Sequence, residues 1–509
     1  MKAGFRQRMT DLHIWPGLIF GWLLYAVFLT GTMSYFREEI TLWMQPEVPQ
    51  RMELPSSAQL VADATQRLNE MGGQANRWLI ELPNERRPLT EIWVWRDGRS
   101  VLPRFQRENL DAQSGKPIEA RRTRGGDFFY YFHFDLHMPW RLGRLLVGIA
   151  TMAMLVAIVT GVIVHKRIFA DFFTFRPGKG QRSWLDAHNA TAVLALPFHL
   201  MIAYTGLITL MTLYLPWGVE LAYRGNAAAF VQEAVLPGVS MPKASGALAA
   251  LPDFGALVAE AEHGWQGKRV GRIDIRLPQD ANMRIEMIAD DSWHVSHHRD
   301  RVVFDRQGRR LGDDADISWI SASERAMYGL HLARFADWPL RWLFFVSGLA
   351  CTAMAATGLL LWAVKRRQKA ARLHFGHRLV DVLNIGTIAG LMIATAVFFW
   401  ANRLLPLELP QREWREAIAF FTAWGLAALH PALRPRQAAW REQLSLAALL
   451  FVALPVLNML TTSRGLAASL PRGDWALAGF DLMALATGLL LAWLAWRQRV
   501  RTAARMAAA

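Results

Sequence analysis

Histidine is the residue type in this sequence with the greatest capacity for chemistry. The chain has 14 histidines and a single cysteine, Cys351, so an intrachain disulfide, a CxxC redox motif and a cysteine-ligated zinc or iron–sulfur centre are excluded. Ionisable side chains are costly in a membrane and indicate function there, and imidazole binds haem iron, zinc and copper. The histidines in or beside long apolar stretches are His13, His133, His137, His165, His188, His199, His331, His374, His377 and His430.

His188 and His199 have the most informative spacing. In a continuous helix, eleven residues place two side chains about 20° apart around the axis and about 16 Å apart along it. One helix would then offer an imidazole at each of two depths, as two stacked haems require. The expected partners from other helices are His13 and His165 at the inner level, and His137 and His331, with His133 one turn from His137, at the outer level.

Other interpretations of these histidines stay open. A histidine at the end of a span is commonly a polar interfacial anchor, and His199 can bond a neighbouring carbonyl. A metal channel or exporter could use the same side chains, but transport sites normally add carboxylates or sulfur ligands inside the spans. Here only Asp186, Asp381 and Asp481 come near the spans, all at their ends. The histidines at two depths, taken together, favour haem or metal binding.

The elements that would position these histidines are membrane-spanning helices. The chain has 53% hydrophobic and 19% charged residues, whereas soluble domains have about 25% charged residues. About 20 apolar residues of helix cross a hydrocarbon core, which predicts a mainly α, polytopic bundle in contact with lipid. The eight predicted spans are 12–36, 145–164, 187–218, 342–364, 382–401, 417–433, 443–463 and 475–496.

Basic residues set the expected orientation of the bundle. The formal net charge is +15, from 57 Lys and Arg against 42 Asp and Glu. The basic residues concentrate at both termini and in the segments after every second span, which the positive-inside rule assigns to the cytoplasm. Both termini are therefore expected inside. The charge indicates membrane topology, so we expect no nucleic-acid partner.

Two long segments fall on the predicted outer, periplasmic side. Each contains an amphipathic helical stretch, at 58–71 or 254–265, followed by strand-like alternation and a Gly-containing turn, which predicts a small α+β domain. The expected divisions are a first span at 1–36, an outer domain at 37–138, spans two and three at 139–218, a second outer domain at 219–335, span four at 336–364 and additional spans five to eight at 365–509.

The unit of span, outer domain and span occurs twice in the same orientation. In both copies the first histidine precedes a Thr-Gly pair by 17 residues, and the second span ends in another Thr-Gly pair. Spans five to eight lack an outer domain and look like an addition. The matching residues are His13, Thr30-Gly31 and Thr160-Gly161 in one copy, and His188, Thr205-Gly206 and Thr357-Gly358 in the other.

The repeated segments resemble a known family. The chain is similar, over roughly residues 5–370, to the PepSY-associated transmembrane-helix family of bacterial inner-membrane proteins, which includes siderophore reductases. The segments that carry the resemblance are DLHIWPGL at 11–18, FHFDLH at 132–137, TGVIVHKRIFADFF at 160–173, DAHNATAVLALPFHLMIAYTGL at 186–207 and YGLHLARF at 328–335.

The resemblance implies two periplasmic PepSY domains and two b-type haems held between helices. It also implies a reductase that passes electrons from the cytoplasmic side to a periplasmic ferric siderophore and releases Fe(II). No nucleotide-binding motif of the GxGxxG or GxxxxGK[ST] type occurs, so we expect an external donor: a reductase, a quinol or a flavoprotein. By similarity, at most four of six histidines are axial ligands: His13, His165 and His188 around the inner haem, and His137, His199 and His331 around the outer one.

Two functional alternatives remain at this stage. The PepSY-like domains of a non-enzymatic sensor or transport protein could bind an envelope partner, with interfacial histidines. A haem reductase could instead serve another periplasmic acceptor, such as a protein or Cu(II).

Overall fold

The computed structural model describes residues 3–49, 53–71, 75–96, 104–165, 174–226, 229, 242–290, 295, 300–313, 319–370 and 372–507. The chain forms two compact units. The first unit, here called the helical unit, comprises Met1–Pro46, Arg121–Leu210 and Asp337–Ala509. The second, here called the sheet unit, comprises Glu47–Ala120 and Met211–Ala336.

The described residues are mainly helical. The helices are α1 (Ala3–Ile19), α2 (Gly21–Ser34), α3 (Arg37–Met44), α4 (Ser57–Glu70), α5 (Asp127–Asp135), α6 (Trp140–Val164), α7 (Gln181–Leu194), α8 (Leu196–Thr209), α9 (Met211–Tyr214), α10 (Trp217–Tyr223), α11 (Phe254–Gly264), α12 (Trp319–Leu332), α13 (Trp338–Lys369), α14 (Phe375–Leu404), α15 (Arg412–Leu433), α16 (Arg436–Thr461), α17 (Leu466–Ser469) and α18 (Trp475–Ala507). The strands are β1 (Ala75–Glu81), β2 (Leu89–Arg96), β3 (Phe105–Asp111), β4 (Val270–Arg276), β5 (Arg284–Ala289), β6 (Arg301–Asp305) and β7 (Arg310–Asp313).

Six of these helices are each long and apolar enough to cross a membrane: α6, α13, α14, α15, α16 and α18. The pairs α1–α2 and α7–α8 pass the same test only together, with bends of 64° and 67°. The described residues therefore provide six spans, or eight if each bent pair counts as one. The chain therefore forms a polytopic helical membrane protein, as predicted.

The prediction of one continuous helix over 187–218 is wrong. The helix breaks at Ala195, between α7 and α8, where Pro197 stands in the first turn of α8. Proline lacks the backbone N–H and is accommodated without loss of a hydrogen bond in the first turn of a helix, so it favours the start of a new helix here. In the first span the break is at Phe20, four residues after Pro16. Both breaks come seven residues after the repeat histidine, and α2 and α8 both have 14 residues.

The two copies of the repeat pack in a reciprocal way within the helical unit. α1 lies along α6, and α7 lies along α13. Beyond the bends the partners exchange, since α2 packs against α13 and α8 against α6. Each histidine-bearing helix is thus placed against a span that ends in a Thr-Gly pair.

The additional spans are an integral part of the helical unit. α14 lies at its centre, with most of its apolar stretch buried, whereas the other five continuous spans bury a minority of theirs. One continuous core joins Phe398 and Phe399 of α14 to Tyr25 of α2 and to Phe128 and Phe129 of α5. Spans five to eight therefore share a core with α2 and with α5, the helix that carries His133.

In the sheet unit, the strands of the two long segments between spans form one antiparallel sheet in the order β3-β2-β1-β4-β5-β6-β7. β1 pairs with β4, with Leu79 opposite Asp274, and this pairing joins the two halves. α4 and α11 are the helices expected from the amphipathic stretches, and they pack together over one face. Ser56 and Asp253 cap these helices by accepting from the backbone amides of Gln59 and Ala256.

Candidate functional site

His13 on α1 is held against α6 in a fixed orientation. Its Nδ1 lies 2.8 Å from the carbonyl oxygen of Ala157. A carbonyl can only accept, so Nδ1 must carry the proton and the lone pair of the neutral ring is on Nε2. The ring lies over Gly161, where a Cβ would come 3.1 Å from His13 Cε1.

His188 on α7 is held against α13 in the same way. Its Nδ1 lies 3.0 Å from the carbonyl oxygen of Met354 and 3.4 Å from the hydroxyl of Thr357. A Cβ on Gly358 would come 3.1 Å from Cε1 of the His188 ring. The two copies of the repeat therefore present two imidazoles with the same proton arrangement.

The rings of His13 and His188 face each other across the two copies. Their centroids are 6.2 Å apart and their planes differ by 68°. Two imidazoles bound through Nε2 on opposite sides of one metal ion, each about 2.0 Å from it, have centroids about 6.3 Å apart. Among the described residues neither Nε2 atom has a hydrogen-bond partner. The centroid separation of this pair, called the inner site below, matches that expected for two imidazoles that would hold one iron between them.

His165 lies near His188 but differs from the inner pair in which of its ring nitrogens has a hydrogen-bond partner. It follows α6, and its Nε2 accepts from the side-chain amide of Asn189 at 2.9 Å. Its buried Nδ1 has no partner among the described residues. His165 therefore carries its free donor on Nδ1, which suits a hydrogen bond to an anionic group better than iron ligation through Nε2.

His133 on α5 has the arrangement of the inner pair. Its Nδ1 lies 2.8 Å from the carbonyl oxygen of Val27 on α2. The ring sits over Gly31, where a Cβ would come 2.5 Å from Nδ1. The sequence predicts His137 as the outer candidate and His133 only as its neighbour one turn away. The position of His133 over a Thr-Gly pair of the repeat makes it the better match to His13 and His188.

Both ring nitrogens of His137 have neighbours in the helical unit. Nε2 donates to the carbonyl oxygen of Phe128 at 2.8 Å, and Nδ1 lies 3.4 Å from a guanidinium nitrogen of Arg124. Leu136 and His137 both have positive φ, 58° and 52°, and this turn directs the ring back onto Phe128, 4.5 Å between centroids. Burial, with a smaller contribution from Arg124, lowers the pKa of His137 to about 4. His137 is thus engaged in a turn and presents no free nitrogen.

His199 lies in the first turn of α8 and is fully buried. Neither of its ring nitrogens has a hydrogen-bond partner in the described part of the chain. A buried polar group without a partner costs about 1–3 kcal/mol, so such groups are rare and mark a strain or a ligand site. Because the helix bends at Ala195, the spacing of His188 and His199 along a straight axis no longer sets their depths.

The other histidines named from the sequence, His331, His374 and His377, lie in or at the start of other helices. His331 is in the last turn of α12, in the sheet unit, and its role stays a prediction. His374 and His377 cap the start of α14, where His374 accepts from the amide of Gly376, and their ring centroids are 3.9 Å apart. In the described residues no group of three or more His, Cys, Asp or Glu side chains is placed to hold a bare metal ion. A facing pair suits haem, which supplies the other four ligands itself.

Comparison with known proteins supports the resemblance found in the sequence motifs. A family model described as PepSY-associated TM region matches residues 10–365. The match includes both histidines of the inner site and ends where the additional spans begin. An uncharacterized protein of Pseudomonas aeruginosa is 29% identical over 379 residues, which cover 70% of this chain and 91% of that protein.

Proposed function

The chain belongs to the PepSY-associated transmembrane family, and we propose that it acts as a dihaem b-type oxidoreductase that reduces a ferric siderophore in the periplasm. The observation that carries this proposal is the facing pair of His13 and His188, 6.2 Å apart, each with its proton held on Nδ1. Haem, when bound there, supplies one-electron transfer through its iron.

The residues of the inner site fix the two ligand atoms before any cofactor arrives. The carbonyls of Ala157 and Met354 hold the tautomer, and the packing of α1 on α6 and of α7 on α13 holds the rings in place. Such outer hydrogen bonds make an imidazole a stronger electron donor to a metal. The Nδ1 donor of His165 is available for an anionic substituent of the cofactor.

A second haem at the outer level would draw its ligands from His133 and His199, both in the helical unit. His133 takes the place of His137 in this proposal, because its Nδ1 donates to a helix carbonyl beside a glycine, as the Nδ1 atoms of His13 and His188 do. His199 supports it through its two unpartnered nitrogens. Two haems at successive depths would let electrons from a cytoplasmic flavoprotein, reductase or quinol cross the bundle.

The overall reaction balances simply. One electron leaves the reduced donor and one Fe(III) in the siderophore complex becomes Fe(II), while the siderophore itself is unchanged. Because siderophores hold Fe(II) far more weakly than Fe(III), the iron is then released. The chain needs no acid–base group for this reaction, only ligands at fixed depth and a surface where the complex can approach.

The test uses the purified full chain in nanodiscs, reduced anaerobically and freed of excess reductant. Addition of ferrioxamine B should reoxidise the haem bands while a ferrous chelator takes up an equal amount of iron. The matched control is the His13→Ala protein, which should transfer fewer electrons per chain. Haem bands that stay reduced, or iron release equal to that without protein, would overturn the proposal.

A further inference from the structure

Three histidines of the helical unit make one and the same contact with a neighbouring helix. In each, the imidazole Nδ1 donates to the carbonyl oxygen that lies four residues before a glycine. The three sets are His133 with Val27 and Gly31, His13 with Ala157 and Gly161, and His188 with Met354 and Gly358.

The glycine of each set makes room for the ring. A Cβ on Gly161 or Gly358 would lie 3.1 Å from the imidazole, and one on Gly31 would lie 2.5 Å from it, whereas ordinary contacts begin at 3.4 Å. An alanine would therefore push the ring away from the helix and lengthen its hydrogen bond to the carbonyl. Helix propensity alone would favour alanine at these positions.

The threonine before each glycine shares the same carbonyl. Thr30 donates to the oxygen of Val27 at 3.3 Å and Thr160 to that of Ala157 at 3.2 Å. Thr357 donates in the same way to Met354 at 3.1 Å. Each hydroxyl makes its shorter hydrogen bond, of 2.7–2.8 Å, to the carbonyl four residues before it, and its contact with the shared carbonyl is the longer branch. The shared carbonyl oxygen thus accepts from both the hydroxyl and the imidazole, and each donor weakens the bond made by the other.

The fourth Thr-Gly pair of the repeat has the same local build. Thr205 donates to the carbonyl oxygen of Ile202 at 3.4 Å, and that carbonyl lies four residues before Gly206. Thr205 is also almost fully buried, as are Thr30 and Thr160. The helical unit therefore contains this threonine geometry four times.

We propose that the Thr-Gly pairs at Gly31, Gly161 and Gly358 are histidine notches, in which the glycine admits an imidazole and the threonine tunes the strength of its Nδ1 hydrogen bond. The part of this proposal that concerns the imidazole tautomers does not depend on a cofactor. Its consequence for the haem midpoint potential rests on the proposed haem function. Thr and Gly are positioning residues with opposite effects. Loss of the glycine weakens the imidazole hydrogen bond, and loss of the hydroxyl strengthens it.

The first test needs no haem. In the full chain with ¹⁵N-labelled histidine, purified without haem, solid-state NMR should show His13 and His188 as neutral rings protonated at Nδ1. The signals are assigned with His13→Gln and His188→Gln. Gly161→Ala should move the ¹⁵N chemical shift of His13 Nδ1 toward that of a weakly hydrogen-bonded ring. The shift of His188 Nδ1 should stay unchanged. An Nε2 proton on either ring of the unsubstituted protein would overturn the proposal.

The second test measures midpoint potentials in the haem-loaded chain. A more basic imidazole stabilises Fe(III), so Gly161→Ala and Gly358→Ala should raise the inner potential, and Thr160→Val and Thr357→Val should lower it. Thr160→Ser should restore the original value. The controls are Gly425→Ala on α15, where a Cβ meets nothing within 4 Å, and Thr395→Val on α14, whose hydroxyl bonds only the carbonyl of Leu391.

The two tests separate the notch from the haem proposal. Shifts of the same sign for the glycine and threonine variants, or none beyond those of the controls, would refute the notches although haem is bound. If the protein binds no haem but the NMR result is as expected, the proposed function fails and the notches stand.

Discussion

Removal of the Glu416 carboxylate should destabilise the helical unit strongly. Glu416 on α15 is fully buried and accepts from the Arg412 guanidinium at 2.5 Å, the Asn402 amide at 2.8 Å and the Thr123 hydroxyl at 2.6 Å. Arg412 is itself only 1% exposed. In Glu416→Ala the guanidinium stays buried without its counter-charge, and two further polar groups lose an acceptor.

The size of the loss follows from burial. Breaking a buried ion pair by removing one partner costs about 3–5 kcal/mol, because the other charge is left in a medium of low dielectric constant. The matched control is Glu442→Ala on α16, since Glu442 pairs with Arg434 where the two side chains are 31% and 50% exposed. A pair this exposed is worth about 0–1 kcal/mol. The two variants should therefore differ by about 2–5 kcal/mol.

The assay is the free energy of unfolding of the full chain in mixed micelles, followed by tryptophan fluorescence. A double-mutant cycle with Arg412→Met and Glu416→Leu isolates the pair, and the double variant should recover part of the loss. Recovery will be incomplete, because Arg412 also donates to the carbonyls of Arg122 and Asn402. If Glu416→Ala and Glu442→Ala unfold within about 1 kcal/mol of each other, the burial argument is refuted.

Three further predictions follow from single side chains. His199→Leu should raise the unfolding free energy of the haem-free protein by about 1–3 kcal/mol, since it removes an unpartnered buried polar group, yet lower the haem content of the loaded protein; unchanged haem with unchanged stability would contradict both parts. His137→Gln should leave haem content as in the unsubstituted chain, because its nitrogens bond within a turn, and loss of a haem in the optical spectrum would contradict this. Hydrogen bonds from Asn282, Ser245 and Gly246 lower the pKa of Asp280 to about 2, below the ordinary 3.8. The stability that the Asp280 carboxylate contributes is therefore present above pH 4 and lost as the pH falls toward 2. Pepsin should accordingly cut this loop faster with falling pH in the unsubstituted chain, and the pH profile of cleavage should be flatter in Asp280→Asn. Equal cleavage profiles in the two proteins would contradict the lowered pKa.

The spans and the repeat could be predicted from the sequence because they depend on local composition and fixed spacing. The helices α4 and α11 could also be predicted, because their apolar residues recur with helical periodicity. The single sheet did not, since the β1–β4 pairing joins segments almost 200 residues apart and strand partners leave no local signal.

The histidine assignments could be predicted only in part. The 17-residue spacing pointed to His13 and His188, and the structure places these two rings together. The depth argument for His199 assumed a straight helix and failed at the Ala195 break. His133 and His137 look equivalent in FHFDLH, and only the turn at Leu136 distinguishes them. The Thr-Gly pairs were visible as a repeat, but the space that each glycine leaves emerges only when two helices are packed.

The most direct test of the haem account is an optical and haem-content measurement on the purified full chain and its His13→Ala and His188→Ala variants. If His13 and His188 hold one of two haems, the unsubstituted chain will show a low-spin b-type spectrum with two haems per chain. Each single variant and the double variant will lose the same single haem. A colourless protein, or variants that both retain two haems with unchanged bands, would contradict it.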